Sequence, residues 1–161
     1  MRAPFLKFAF ALLATAMFYS AAAAAEPRAT RDEAVAIVKK AVGYIRQNGK
    51  AQALAEFSKQ QGPFVDRELY IAVLDLNGLM LAHGANPKLI GKNLLDIKDV
   101  HGKAFVREQV ELARTKGSGW VDFEWVNPVS KKMEPRSVYL ERLDDYFILS
   151  GVYGKLSLIH I

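Results

Sequence analysis

The chain has 161 residues, 51% of them hydrophobic, which is enough for one globular domain with its own core. Cysteine is absent, so disulfide bonds and thiolate metal sites are excluded. The formal net charge is +5, but residues 26–154 hold 19 basic and 17 acidic residues, a net charge of about +2. Proteins that bind nucleic acids neutralise many phosphates with a basic surface, and this charge is too small for one. We therefore expect no nucleic-acid partner.

Residues 1–25 have the pattern of a secretory signal peptide. Arg2 and Lys7 supply a positive start, residues 8–19 are almost wholly apolar, and five alanines then precede Glu26. Small residues at these positions predict cleavage after the last alanine and export to the periplasm. The alternative is an uncleaved leader that anchors the chain in the inner membrane.

Residues 26–154 contain no internal repeat or low-complexity linker, which predicts a single domain. Residues 155–161 are predicted to be a non-native tail. They end in Leu-Ser-Leu-Ile-His-Ile, which is how one reading frame of a common sequencing-library transposon end translates. A short genuine tail is the alternative.

Two helices are predicted at the start of the domain. Thr30 and Glu33 have capping-box spacing, and apolar residues then recur at helical spacing until Asn48-Gly49, a plausible helix end. A shorter helix is predicted over residues 50–60, where Gly62-Pro63 would break it.

A hairpin, a helix and three more strands are predicted next. Residues 69–76 form a continuous apolar run, and Asn77-Gly78 separates it from residues 79–82, which predicts a hairpin with both turn residues at positive φ. A helix is predicted over residues 102–116. Alternating and apolar runs from Val121 onward then predict three antiparallel strands, the last beside the first.

This order of elements predicts an α+β domain rather than a parallel sheet. The expected architecture is a five-stranded antiparallel sheet. The long N-terminal helix covers one face, and helices are inserted between strands 2 and 3.

Several short strings in the domain occur in a characteristic order. They are Leu69 to Asp75 with Asn77-Gly78 and His83, Leu89 to Asn93, Asp99 to Lys103, Gly117 to Phe123, Trp125 with Asn127-Pro128, Arg136 with Tyr139, and Gly151 to Tyr153. Their order and spacing, from about residue 30 to residue 153, resemble the single Cache domains, which are PAS-like extracellular sensors of bacteria. The family usually has lysine where Arg136 stands and often tyrosine where Phe123 stands.

The resemblance implies a pocket between the sheet and the middle helices, where relatives bind small metabolites, often short organic acids. With the cleavable-looking leader, it favours a free-standing periplasmic protein in signal transduction, with a membrane receptor or kinase as its partner. One alternative is the sensor domain of a truncated transmembrane chemoreceptor or histidine kinase. Another is a structural or assembly module without a ligand.

Catalysis, cofactors and metals are not expected. The sequence contains no cysteine nucleophile, Gly-x-Ser-x-Gly motif or phosphate-binding loop. His83 and His101 lack a carboxylate at ligand spacing, so no metal site is predicted.

Seven residues are predicted to contact the ligand: Arg136, Tyr139, Trp125, Phe123, His83, Phe105 and Trp120. A guanidinium aimed into a pocket would hold a carboxylate, with hydroxyl donors beside it and Trp125 and Phe105 above it. Tyr139 faces away from Arg136 in a regular strand, so only a twist or bulge would bring both to one ligand.

Each candidate also has a structural interpretation. The aromatic residues could be core, and Trp120 could cap the end of the preceding helix. Arg136 could be a surface cation or a partner for Glu124 or Asp122, and His83 could satisfy a backbone group.

Overall fold

A computed structural model describes residues 27–154 of the chain. The predicted signal peptide, residues 1–25, and the predicted tail, residues 155–161, lie outside the described residues and stay predictions. No helix within residues 27–154 is both long and apolar enough to cross a membrane.

Two helices open the described domain, α1 (Arg31–Asn48) and α2 (Lys50–Phe57). The predicted capping box is confirmed: the Glu33 N–H donates to the Thr30 hydroxyl (3.3 Å), and the Thr30 N–H donates to the Glu33 carboxylate (2.7 Å). Gly49, at φ 81°, ends α1 as expected. Helix α2 is three residues shorter than predicted, because the chain turns at Ser58, whose hydroxyl donates to the carbonyl of Leu54 (2.8 Å).

Within residues 27–154, seven strands form two antiparallel sheets. They are β1 (Val65–Asp66), β2 (Leu69–Tyr70), β3 (Ala72–Asp75), β4 (Met80–His83), β5 (Ser118–Val126), β6 (Met133–Leu143) and β7 (Tyr146–Tyr153). The main sheet has the order β4-β3-β7-β6-β5, which confirms the predicted five antiparallel strands and the pairing of the last strand with the first.

The hairpin region differs from its prediction in two ways. The apolar run 69–76 is divided at Ile71, since β2 pairs with β1 while β3 joins the main sheet. The prediction that both turn residues have positive φ is wrong. Gly78 has φ 84°, but Asn77 is not in the left-handed region. The Asp75 carboxylate instead accepts the N–H groups of Asn77 and Leu79 (2.8 Å each), which holds a longer turn.

A 3₁₀ turn (Pro87–Leu89) and helix α3 (Phe105–Thr115) lie between β4 and β5, as predicted for strands 2 and 3 of the sheet. Helix α3 begins three residues later than predicted. The Asp99 carboxylate accepts the N–H groups of His101 and Lys103 (2.9 Å each), and these bonds hold the preceding residues in a loop.

The main sheet is covered on both faces. Helices α1 and α2 pack on one face over residues such as Val73 and Ile148, and α3 with the preceding loop packs on the other over residues such as Leu74 and Leu149. We call these the α1 face and the α3 face.

Candidate functional site

A cavity of about 30 Å³ lies on the α3 face, between the sheet and α3. Most of its lining is apolar, and the polar members of the lining are an arginine, a histidine and a glutamine. The lining residues are Ala72, Leu74, Met80, His83, Leu89, Leu94, Phe105, Val106, Gln109, Phe123, Trp125, Arg136 and Leu149. The loop between β4 and α3 contributes Leu89 and Leu94 to the lining. Its Gly91 and Leu94 N–H groups donate to the carbonyls of Met80 (2.9 Å) and Gly78 (2.8 Å), which hold the loop against the hairpin.

Arg136 is buried at the cavity wall, with 4% of its surface exposed. One guanidinium nitrogen, Nη1, donates to the Tyr70 hydroxyl (2.5 Å), whereas Nε and Nη2 are buried without a hydrogen-bond partner among the described residues. Buried donors are nearly always paired, so two unpaired N–H-bearing nitrogens on one cation mark a place where a partner belongs.

The inward orientation of Arg136 follows from the two-residue period of a strand. Arg136, Val138 and Leu140 alternate along β6 and lie on the α3 face. The structure does not pair Arg136 with either predicted acidic partner. The Asp122 carboxylate accepts from the Ser137 hydroxyl (2.6 Å), and Glu124 lies 3.3 Å from the Nε2 of His101.

Two tyrosines hold the guanidinium in place. The Tyr70 hydroxyl, which accepts from Arg136, lies 3.4 Å from the Tyr153 hydroxyl, and Tyr153 donates to the carbonyl of Val126 (3.0 Å). The Arg136 Cζ lies 4.5 Å from the ring centre of Tyr70 and 5.0 Å from that of Tyr153, within cation–π range. These contacts fix the cation in position and leave Nε and Nη2 available.

His83 is buried at the same wall. Its Nδ1 accepts the N–H groups of Ala85 (3.2 Å) and Asn86 (2.9 Å), so the ring does satisfy the backbone. Burial, and then the positive charge of Arg136, lower the pKa of His83 to about 3. The ring is therefore neutral near pH 7. Because Nδ1 accepts hydrogen bonds, its proton is on Nε2.

Three aromatic rings form the wall beside α3. Phe105 stacks on Phe123 with ring centres 4.1 Å apart, and Trp125 meets the Phe105 ring at 5.3 Å in an edge contact. All three line the cavity and also pack in the core of the α3 face, so the core interpretation is confirmed and ligand contact stays a prediction.

Tyr139 and Trp120, also predicted ligand contacts, are on the α1 face instead. Their rings lie 5.6 Å apart, and neither lines the cavity. Residues at odd spacing from Arg136 and Phe123 point to the opposite side of a strand, and no bulge occurs between β5 and β6 to reverse this. The Arg31 Cζ lies 3.9 Å from the ring centre of Trp120, in a cation–π contact.

Three residues of the site are not among the seven that were predicted from the sequence. Gln109 is a polar residue on the otherwise apolar inner side of α3, which was a usable signal. Tyr70 and Tyr153 lie in apolar runs of the sequence. In such a run, the sequence does not distinguish a tyrosine that contacts a buried arginine from one that only packs in the core.

A second cavity, of about 450 Å³, adjoins the first and shares His83 and Trp125 with it. Tyr70 and Lys131 also line it. The residues that the structure describes include no group of three His, Asp or Glu side chains able to hold a metal ion.

Known proteins resemble this chain in sequence and in fold. The family model described as Single Cache domain 2 matches residues 7–155. The chain belongs to this family. Over 90 residues it is 34% identical to the methyl-accepting chemotaxis protein McpP of Pseudomonas putida. The match covers 55% of this chain but only 16% of McpP, so the chain spans about a sixth of the length of this curated relative.

Solved structures agree with the family assignment. A Cache chemosensory domain, solved in work on carboxylic acid recognition, has a TM-score of 0.68 and 27% identity, covering 77% of this chain and 92% of that one. A methyl-accepting chemotaxis protein of Vibrio parahaemolyticus has a TM-score of 0.67 and 24% identity, covering 76% and 86%. The second likeness shows the fold alone. The Cache fold and a place among sensor domains follow from these matches.

Proposed function

We propose that the domain is a periplasmic sensor that binds a small carboxylate at Arg136 and catalyses no reaction. The observation that carries this proposal is the buried guanidinium whose Nε and Nη2 lack partners at the edge of an internal cavity.

The chemistry of Arg136 favours a carboxylate. A guanidinium presents parallel N–H donors that match the two oxygens of a carboxylate, and such bonds are shorter and stronger than neutral ones. None of the described residues that line the cavity is Asp or Glu, so the lining supplies no counter-ion for this positive charge. An anionic ligand would supply both the missing charge and the missing acceptors. The apolar aromatic wall would contact its carbon chain.

The size of the cavity favours a small ligand. A volume of about 30 Å³ holds about two water molecules, so even a short acid requires some outward movement of the lining. Trp125 is the best placed to move, because it is only partly buried and lies between the two cavities. We expect binding to shift Trp125 and α3 against the sheet and so to change the surface presented to a membrane receptor or kinase.

The comparisons support this function at a coarser level. The Cache domain concerned with carboxylic acid recognition covers most of this chain at 27% identity, and McpP is a chemotaxis protein. They equally favour the alternative that this domain is the sensor of a transmembrane chemoreceptor. Cell fractionation distinguishes the two forms: a free-standing protein is found in the periplasmic extract, and a receptor domain is found in the membrane fraction.

The binding proposal is tested by thermal unfolding and calorimetry of the purified protein with a panel of short organic acids. A ligand at a hundred times its Kd adds about 2.7 kcal/mol to the free energy of unfolding, a shift of several degrees in Tm. We expect Arg136→Met to abolish the shift. The control is Arg142→Met, which removes an exposed arginine of the same strand β6 and should leave the shift unchanged.

Two outcomes would contradict the proposal. Binding that survives in Arg136→Met would place the ligand elsewhere. The absence of binding to every acid in the panel would favour the structural module, in which the cavity aromatics serve only as core.

A further inference from the structure

The turn that joins β5 to β6 carries a cluster of exposed apolar side chains. Five large hydrophobic side chains are exposed among the described residues, and three of them belong to residues 126–133, which we call the β5–β6 tip. They are Val126, Val129 and Met133, with 46%, 64% and 46% of their surface exposed. Single exposed apolar residues are common on protein surfaces, but a cluster of them marks an interaction site.

The cluster is continuous with the second cavity. Val126 and Met133 are cross-strand partners, so their side chains lie on the same face of the two strands. Both residues line the second cavity, together with Trp125. The apolar surface therefore extends from the β5–β6 tip toward the interior of the domain.

The β5–β6 tip is held in one conformation by hydrogen bonds. The buried Asn127 side chain accepts the N–H groups of Val129 (2.8 Å) and Ser130 (3.3 Å) through its amide oxygen. The backbone N–H of Asn127 donates to the carbonyl of Lys132 (2.8 Å), and its carbonyl accepts the N–H of Lys131 (2.9 Å). Because these bonds fix the turn, the exposure of Val129 is a feature of the fold rather than of a loose loop.

The β5–β6 tip is also positively charged. Lys131 and Lys132 are exposed beside the apolar residues, and neither forms an ion pair with another described residue. The one acidic residue nearby in the sequence is Glu134, which pairs with Arg28 (2.7 Å). The two lysines are therefore left without a counter-ion within residues 27–154.

Both ends of the described domain lie at the base of the β5–β6 tip. The strand β7 ends at Tyr153, which pairs with Arg136, and the segment before α1 reaches the same place through Arg28 and Glu134. An uncleaved leader, the alternative given for residues 1–25, would anchor the chain next to this point. In that form, the β5–β6 tip is at the end of the domain that is nearest to the membrane.

We propose that the β5–β6 tip binds the surface of a bilayer that contains anionic phospholipids. Its three exposed apolar side chains enter the boundary between head groups and acyl chains, and Lys131 and Lys132 bind the lipid phosphates. Protein interfaces are enriched in aromatic residues and arginine and are poor in lysine. Residues 126–133 contain two lysines and no aromatic residue or arginine, which favours a lipid surface over a protein partner.

The absence of cysteine from the chain allows a local test. The variant Val129→Cys has a single thiol, which is labelled with the environment-sensitive fluorophore NBD. We expect its emission to increase and shift to the blue with vesicles of phosphatidylglycerol and phosphatidylcholine in equal amounts, and to stay unchanged with phosphatidylcholine alone. Because the fluorophore reports only on its own surroundings, the test is valid whether or not residues 1–25 are retained.

The control for the label is Gln47→Cys. Gln47 is exposed near the end of α1, a helix of 18 residues and about 27 Å that begins beside the β5–β6 tip. We expect no spectral change at this position with either kind of vesicle.

The lysines are tested by titrating the labelled protein with the anionic vesicles. We expect Lys131→Gln combined with Lys132→Gln to weaken binding about 25-fold, since each lysine near an anionic surface contributes about fivefold. The matched control, Lys39→Gln combined with Lys116→Gln, removes the same charge from exposed positions outside the β5–β6 tip. At physiological ionic strength its affinity should stay within about twofold of that of the parent protein.

Three outcomes would overturn the proposal. A label at residue 129 that does not respond to the anionic vesicles would exclude lipid and favour a protein as the partner of the β5–β6 tip. Equal responses at residues 129 and 47 would mean adsorption without a defined surface. Equal weakening by the two pairs of lysine substitutions would mean that only the net charge matters. None of these outcomes bears on the carboxylate function, because Arg136 and its cavity take no part in the test.

Discussion

The two faces of the main sheet are built from alternating residues of the same strands, yet they differ in character. On the α1 face, the rings of Phe57 and Phe64 pack edge to face with their centres 4.6 Å apart, in a core of buried and partly buried hydrophobic residues. The α3 face has a comparable apolar core, but a cavity interrupts it where Arg136, His83 and Gln109 meet. The α1 face supports the fold, and the α3 face contains the proposed ligand site. Because successive residues of a strand point to opposite faces, neighbouring residues belong to different faces.

The largest expected contrast comes from two neighbouring residues of β7. Ile148 is fully buried on the α1 face, and Leu149 lines the cavity on the α3 face. We expect Ile148→Ala to lower the free energy of unfolding by about 4 kcal/mol and Leu149→Ala by about 2 kcal/mol, in the upper and the lower part of the range for such changes. Urea unfolding of both variants measures the difference. Equal losses would mean that the two faces are equally well packed.

The pH dependence of stability is the next largest effect, and it arises on the α3 face. The pKa of His83 is about 3 in the folded protein and about 6.5 in the unfolded chain, so the unfolded chain takes up the proton first as the pH falls. Stability due to the neutral ring is therefore full above pH 6.5 and decreases toward pH 3. From pH 6.5 to pH 4.5 we expect a loss of about 2 kcal/mol.

The variant His83→Asn isolates this term, because the amide oxygen can still accept the N–H groups of Ala85 and Asn86 but does not titrate. Its stability should be nearly flat over the same pH range in urea unfolding. If the free energy of unfolding of the wild-type protein were equally independent of pH, His83 would not be held neutral by its surroundings.

A smaller effect of opposite sign is expected at Arg136. Without a ligand, its guanidinium is buried with no anionic partner among residues 27–154. We expect Arg136→Met to raise the free energy of unfolding by about 1 kcal/mol, since replacing buried ionic groups by apolar ones of similar volume is often stabilising. Tm measured without ligand checks this. A large loss would mean that the guanidinium supports the fold rather than a ligand.

The smallest effect is expected at Ser150 on the α1 face, whose hydroxyl is fully buried and has no hydrogen-bond partner in the described part of the chain. We expect Ser150→Ala to raise the free energy of unfolding by about 0.5 kcal/mol, because it removes an unpaired hydroxyl at little loss of volume. The change should leave the Kd of any ligand untouched, which calorimetry tests. An altered Kd would show that the two faces are coupled.

The fold was predictable because its signals are local. The capping box at Thr30 and the strand Tyr146–Tyr153 were located correctly from a few neighbouring residues. Element ends were less predictable where one side chain decides them, as Asp99 does before α3 and Asp75 does in the hairpin turn. Such hydrogen bonds depend on the geometry of the loop, which the spacing of apolar residues in the sequence does not indicate.

The site was predictable only in part. Arg136, His83 and the aromatic wall were identified through the resemblance, while strand alternation alone already indicated that Tyr139 would face away. Tyr70 is brought to Arg136 by a contact between residues 66 positions apart, which a single sequence does not reveal. Gln109 was predictable as a residue of the site, because glutamine is mostly exposed in proteins and its position on the apolar inner side of a helix is unusual.

Both ends of the described domain meet the start of β6. Arg28 pairs with Glu134 (2.7 Å), and the N–H of Gly154 donates to the carbonyl of Pro135 (2.9 Å). Domains whose termini are adjacent can be inserted into a surface loop of another protein without stretching the host. Residues 27–154 are therefore suited to grafting into a fluorescent reporter. In such a chimera, the junctions would lie next to Arg136, the residue that follows Pro135.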